Sequence, residues 1–256
     1  MSRRHRLQKL LRNADLGGRV WFAGHDHGGG GGAARRSCPW ILPTGFDELD
    51  RALAGGWPLG ALIELFVESS GVGELQLLMP ALTRLAGVGR QATAAATAAH
   101  QVRAKGRKWI VLIAPPYIPY APAFARHGLN LSRVLVVHCR RQAEVLWSVE
   151  QALHSGTCAA VLAWSGNADE RALRRLQLAA EATRNAADGC WLVLFRAPCF
   201  RRQRSPAALR VHLQAGTFPA LNLHIFKQRG GRPRHIVLEL GIVSANTRSA
   251  WVGATQ

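Results

Sequence analysis

The sequence predicts an α/β fold: a mostly parallel, twisted sheet flanked by helices, with antiparallel strands at its C-terminal edge. Three observations carry this. WIVLIA (109–114), VLVVH (134–138), AAVLAW (159–164) and WLVLFR (191–196) are short, continuously apolar runs, the composition of strands buried on both faces. Helical patterns around 121–127, 142–154 and 169–185 lie between them, and such alternation belongs to a parallel sheet covered on both sides. The final third changes character: ALRVHL, LNLHIFK and HIVLEL alternate more and are joined by turns, as antiparallel strands are.

Taken in chain order, residues 1–41 read as a basic N-terminal helix and a Gly-rich linker. MSRRHRLQKLLRN sets Leu7, Leu10 and Leu11 on one side and Arg/Lys on the other, and GHDHGGGGGAARRS (24–37) has linker composition. His25 and His27 beside five glycines are not a preorganised metal site. The folded domain is expected over 42–243, with 244–256 as a tail. In LPTGFDELDRAL a helix starts at Thr44 or Asp47, with Phe46, Leu49 and Leu53 at helical spacing. GGWPLG (55–60) reads as a turn and ALIELFV (61–67) as a strand. Leu75, Leu78, Met79, Leu82 and Leu85 share one face of a helix, which Pro80 is expected to shorten or kink. The Ala-rich stretch 87–108 carries no large apolar stripe and reads as a weak exposed helix or a loop.

Bulk composition narrows the function. The chain has 256 residues, 48% hydrophobic, enough for a substantial core, and a formal net charge of +18 with pI near 11.4. Such an excess points to a polyanionic partner, nucleic acid or an acidic protein surface. The positive charge is concentrated late: between Asp188 and Glu239 there is no acidic residue, while nine Arg and Lys residues include Arg196, Arg210 and Lys227. Cys38, Cys139, Cys158, Cys190 and Cys199 are scattered without a CxxC pair, which argues against a disulfide framework or zinc site and favours a reducing, cytoplasmic setting. Burial is their expected state. No apolar run approaches the roughly 18 residues of a membrane span, and the N-terminus lacks the apolar core of a signal peptide. No G-x-S-x-G elbow, H-E-x-x-H pair or aromatic RNA-binding sheet motif is present.

One stretch has the layout of a phosphate site. In ELFVESSGVGELQLL (64–78) an apolar strand turns through a small loop into an amphipathic helix. A working P-loop follows G-x-x-x-x-G-K-[ST], in which backbone amides cradle phosphate, Lys neutralises charge and the hydroxyl holds Mg²⁺. On residues 66–73 those positions hold Phe66, Gly71, Val72 and Gly73, and Gly-Lys occurs nowhere in the chain. Glu74 follows, where a carboxylate satisfies the helix terminus itself and repels an incoming phosphate.

LPTGFDELDRALAGGWPLGALIELF, VESSG, IAPPYIPYAPAFARHGLNLSRVLVV, AEVLWSVEQALHSGTCAAVLAW and LRRLQLAAE occur in this order over about residues 42–241. In order and spacing they resemble the RecA-type ATPase core and, more narrowly, the bacterial ImuA family of the translesion-mutagenesis cassette. The resemblance implies a RecA-like core with a degenerate P-loop, of which Glu68, Ser69, Ser70, Gly71 and Gly73 are the remnant. It puts Trp164 and Ser165 where the metal-holding Asp would stand, and Ala114-Pro115-Pro116 where the catalytic Glu would follow its strand. Three parts of one machine missing together imply no ATPase, no ATP cofactor and no metal. CFRRQRSP (199–206) falls where the family places a mobile DNA-facing loop. KQRGGRPRH (227–235) resembles the segment that carries basic residues toward a neighbour's ATP, with Lys227 and Arg229 as the matching pair. Arg201, Arg202, Arg204, Lys227, Arg229, Arg232 and Arg234 are therefore the expected DNA- or partner-binding residues. The implied role is a non-catalytic accessory of SOS-induced, error-prone translesion synthesis. Its implied partners are an ImuB-like Y-family polymerase homologue, an error-prone replicative-type polymerase, RecA and DNA, with no membrane. Some members carry a SulA-like label, so a cell-division inhibitor is a competing expectation, as are a nucleotide-binding ATPase and a simple DNA-binding protein.

Overall fold

The computed structural model describes residues 40–86, 108–186 and 189–241. The expected N-terminal helix and linker, residues 87–107 of the Ala-rich stretch and the 244–256 tail lie outside them.

GGWPLG does more than turn: Trp57–Pro58 form a short strand, β2, paired antiparallel with β1 (Ile41–Leu42). This buries Trp57 with its ring centroid 5.8 Å from that of Trp191. Between them α1 (Asp47–Ala52) starts at the later of the two expected positions. Thr44 spends its groups on the preceding turn: its hydroxyl accepts the Phe46 N–H at 3.1 Å, and its N–H donates to the Asp50 carboxylate at 2.7 Å. β3 (Ala61–Val67) is buried at every residue, and α2 (Glu74–Leu85) runs through Pro80 without a break. Pro80 is packed by Gly45, where a Cβ would come within 2.5 Å of the ring, so the proline serves as a contact surface.

Apart from a short 3₁₀ turn at Leu131–Arg133, the remaining elements are β4 (Trp109–Ile113), α3 (Ala121–Arg126), β5 (Val134–Val137), α4 (Gln142–His154), β6 (Cys158–Trp164), α5 (Glu170–Ala186), β7 (Trp191–Arg196), the 3₁₀ turn η1 (Pro198–Arg202), β8 (Leu209–Ala215), β9 (Ala220–Gln228) and β10 (Arg234–Glu239). Eight strands form one sheet in the order β10-β9-β8-β3-β7-β6-β4-β5. On one face Ile63, Leu65, Val193 and Val211 pack under α1, α2 and α3, while Leu62, Val161, Leu192 and Leu194 pack on the other under α4 and α5. The fold is α/β with a mostly parallel sheet, flanking helices and antiparallel strands at the C-terminal edge, as the periodicity predicts.

Two strands differ from their sequence reading. β8 pairs parallel with β3, Ile63 opposite Leu209 and Val67 opposite Leu213, so antiparallel pairing begins with β9. The alternation in ALRVHL reports a face that carries Arg210 and His212, not strand direction. β5 closes the parallel end as an edge strand with Leu135 48% exposed, so its apolar run is not buried on both faces.

Candidate functional site: a self-capped loop and a cationic flank

The loop after β3 turns through Gly71 (φ +96°) and Gly73 (φ +103°), left-handed conformations that favour glycine. Gly73 is the N-cap of α2 and supplies no side-chain cap. Glu74, nearly buried, folds back instead: its two carboxylate oxygens accept the Gly71 N–H at 2.9 and 3.1 Å. A helix N-terminus attracts an anion, and here the chain's own carboxylate provides it. Val72, at the lysine position, packs against the core. A Cβ on Gly73 would lie 2.5 Å from Leu240 Cδ1, and Gln76 Nε2 donates to the Gly241 carbonyl at 3.0 Å. The chain leaving β10 therefore closes over the loop.

Beside it, Trp164 stacks on Phe195 with ring centroids 4.6 Å apart. Ser165 is buried and its hydroxyl is engaged by Gln142, which also accepts the Gly166 N–H at 3.0 Å. Ala114 is tied through its N–H to the Val137 carbonyl at 2.7 Å. A cavity of about 250 Å³ remains, lined by Glu68, Ser69, Ser70, Trp164, Ser165 and Arg196 among others. Trp164 Nε1 and Arg196 Nε are buried there without a hydrogen-bond partner. Among the described residues no group of three His, Cys, Asp or Glu is placed to hold a metal ion.

Behind this cavity, Glu64 sits at the centre of β3 with no exposed surface. Arg196 Nη1 donates to its Oε1 at 2.6 Å and Arg210 Nε to its Oε2 at 2.7 Å. Arg196 Nη2 also donates to the Ala168 carbonyl and to Gln203, and its guanidinium lies 4.9 Å from the Phe200 ring centre. Arg210 lies 5.0 Å from both Phe66 and Phe226. Two cations on one carboxylate leave an excess positive charge out of water, which carbonyls and ring faces compensate. Burial pulls the Arg210 guanidinium below its ordinary value, and Glu64 opposes that shift. The 199–206 segment is thereby fastened: Gln203 reaches the Ala168 carbonyl at 2.9 Å, Arg210 Nη2 the Phe200 carbonyl at 3.4 Å, and Lys227 Nζ the Ser205 carbonyl at 2.6 Å.

The expected basic residues divide into three groups. Arg202, Arg204 and Lys227 line one cavity of about 510 Å³, together with Arg174 and Arg210. Arg201 Nη1 lies 2.9 Å from His212 Nδ1, and Arg229 lies 3.5 Å from Glu181 on α5. Arg232 and Arg234 stand exposed where β9 turns into β10. Sequence reasoning missed Arg174 and Arg210 as members of this cavity, and Glu64 as a buried ion-pair centre. For Glu64 and Arg210 the available signal was a charge within an apolar strand, as in ALIELFV and ALRVHL; Arg174, exposed on a helix, carries no such signal. The expectation of buried cysteines holds for Cys158 and Cys190; Cys199 is exposed.

Fold and site define an α/β protein with a self-capped glycine loop between strand and helix and a cationic flank. No protein-family model matches the chain, and no curated protein matches it. Among the described residues no helix is long and apolar enough to cross a membrane.

Proposed function

We propose that this chain is a non-catalytic, RecA-like accessory protein of SOS-induced, error-prone translesion DNA synthesis, acting in the cytoplasm by recruiting or bridging polymerase, RecA and DNA. The observation that supports it most is Glu74, whose carboxylate takes the backbone amide an ATP phosphate would need. Val72 and Gly73 in place of Lys and Ser/Thr, and Ser165 engaged by Gln142, support the same reading. Removing the electrostatic clamp removes the main source of phosphoryl-transfer catalysis. The ImuA resemblance supplies the partners: an ImuB-like Y-family polymerase homologue, an error-prone replicative-type polymerase and RecA. Interferometry with the purified chain immobilised is expected to show binding to the ImuB-like homologue or to RecA, with affinity of about micromolar or tighter. Failure of both to bind contradicts the recruiting role.

A further inference from the structure

Five cations converge on the cavity bounded by α5, the 202–206 segment, β8 and β9. Arg174, Arg202, Arg204, Arg210 and Lys227 line it against one carboxylate, Glu170. Two of the five are set from behind. Arg210 is held through Nε by Glu64, and Lys227 donates one N–H to the Ser205 carbonyl, keeping its others for a ligand. Arg174, Arg202 and Arg204 are exposed, and among the described residues no carboxylate forms an ion pair with them. Nearby Arg229 pairs with Glu181 and Arg201 hydrogen-bonds the His212 ring, while Arg174, Arg202 and Arg204 converge on the cavity. Burial, then the charges of Arg210 and Arg229, pull the Lys227 amine below its ordinary value. An oxyanion relieves that repulsion.

We propose that this cavity seats backbone phosphates of a nucleic-acid strand, with Arg174, Arg202 and Arg204 at its mouth and Arg210 and Lys227 deeper in. The proposal rests on the nucleic-acid contact included in the function above. Arginine forks suit phosphate and carboxylate alike. The rest of the lining decides between them. Beyond the charged side chains it holds Gln203, Ser205 and Pro206, with no aromatic or large aliphatic residue. Protein partners anchor on such apolar residues, whereas a phosphodiester chain needs none.

The test is fluorescence anisotropy with the full chain and a short labelled oligothymidine across a salt series. Arg174→Gln with Arg204→Gln removes two exposed cations, and circular dichroism checks that the fold is kept. This pair is expected to weaken binding about tenfold and reduce the slope of log affinity against log salt by about 1.4. Arg232→Gln with Arg234→Gln, outside the cavity, is expected to weaken it less. Inorganic phosphate is expected to compete only at high concentration, and polyglutamate not to compete. If the strand binds and the cavity pair binds it like the unmodified chain, the seat is overturned while nucleic-acid contact stands. Displacement by polyglutamate at equal charge, or by inorganic phosphate at micromolar concentration, overturns the seat as a strand site. If the unmodified chain binds no strand, the seat and the nucleic-acid part of the proposed function fall together.

Discussion

Exchanging one oxygen of Glu64 for an amide nitrogen would leave the Arg196 and Arg210 guanidiniums buried without a counter-charge. Breaking a buried ion pair from one side costs about 3–5 kcal/mol, because the surviving charge stays out of water. Glu64→Gln is therefore expected to lower the urea-unfolding free energy by that amount. Replacing Glu64, Arg196 and Arg210 together by apolar residues of similar length is expected to recover most of it. A loss under about 0.5 kcal/mol for Glu64→Gln, the level of an ordinary surface change, would show that the triad is not a coupled unit. The sequence makes Glu64 visible, since one carboxylate in ALIELFV needs a partner. It does not make the partners visible, because they lie 132 and 146 residues away and only the pairing of β3 with β7 and β8 brings them in. Glu74 is the opposite case: its partner is three residues back, so local reasoning reaches it.

Among elements, β8, β9 and β10 carry a cross-strand row of histidines: His212 opposite His224, and His224 opposite His235 with ring centroids 3.9 Å apart. Burial, then Arg201, draws His212 below its ordinary value of 6.5, while Glu68 opposes the shift. Burial, then His235 and Arg201, does the same to His224. The folded chain thus resists a proton that the unfolded chain accepts near pH 6.5. The unfolded state binds more protons in the window just below that value, so stability rises with pH through it and is undiminished above. Acidification from neutral pH through this window is expected to lower the urea midpoint, and His224→Gln is expected to flatten the dependence. Parallel pH profiles for the two proteins would refute a contribution from His224. Strand positions in the eight-stranded sheet are legible in the sequence to within a residue or two, because apolar runs report burial, whereas the two-residue strands β1 and β2 are too short to show one. The direction of β8 and the edge position of β5 are not, because side-chain pattern does not name the neighbouring strand.

For the whole molecule, alternating apolar strands and amphipathic helices are enough to predict the α/β fold class. The cationic cavity is not readable as a unit: Arg174, Arg204, Arg210 and Lys227 come from α5, the segment after η1, β8 and β9. A charge count over 189–238 finds the field, but not which charges are paired with Glu181 or Glu64. The central proposal is that Glu74 occupies the loop after β3 and that this loop does not serve ATP. Equilibrium dialysis of labelled ATP with Mg²⁺ against the purified chain, with and without single-stranded DNA and followed for phosphate release, tests it most directly. The account predicts no saturable binding and no release above buffer under either condition. Saturable binding with DNA-stimulated phosphate release would contradict it.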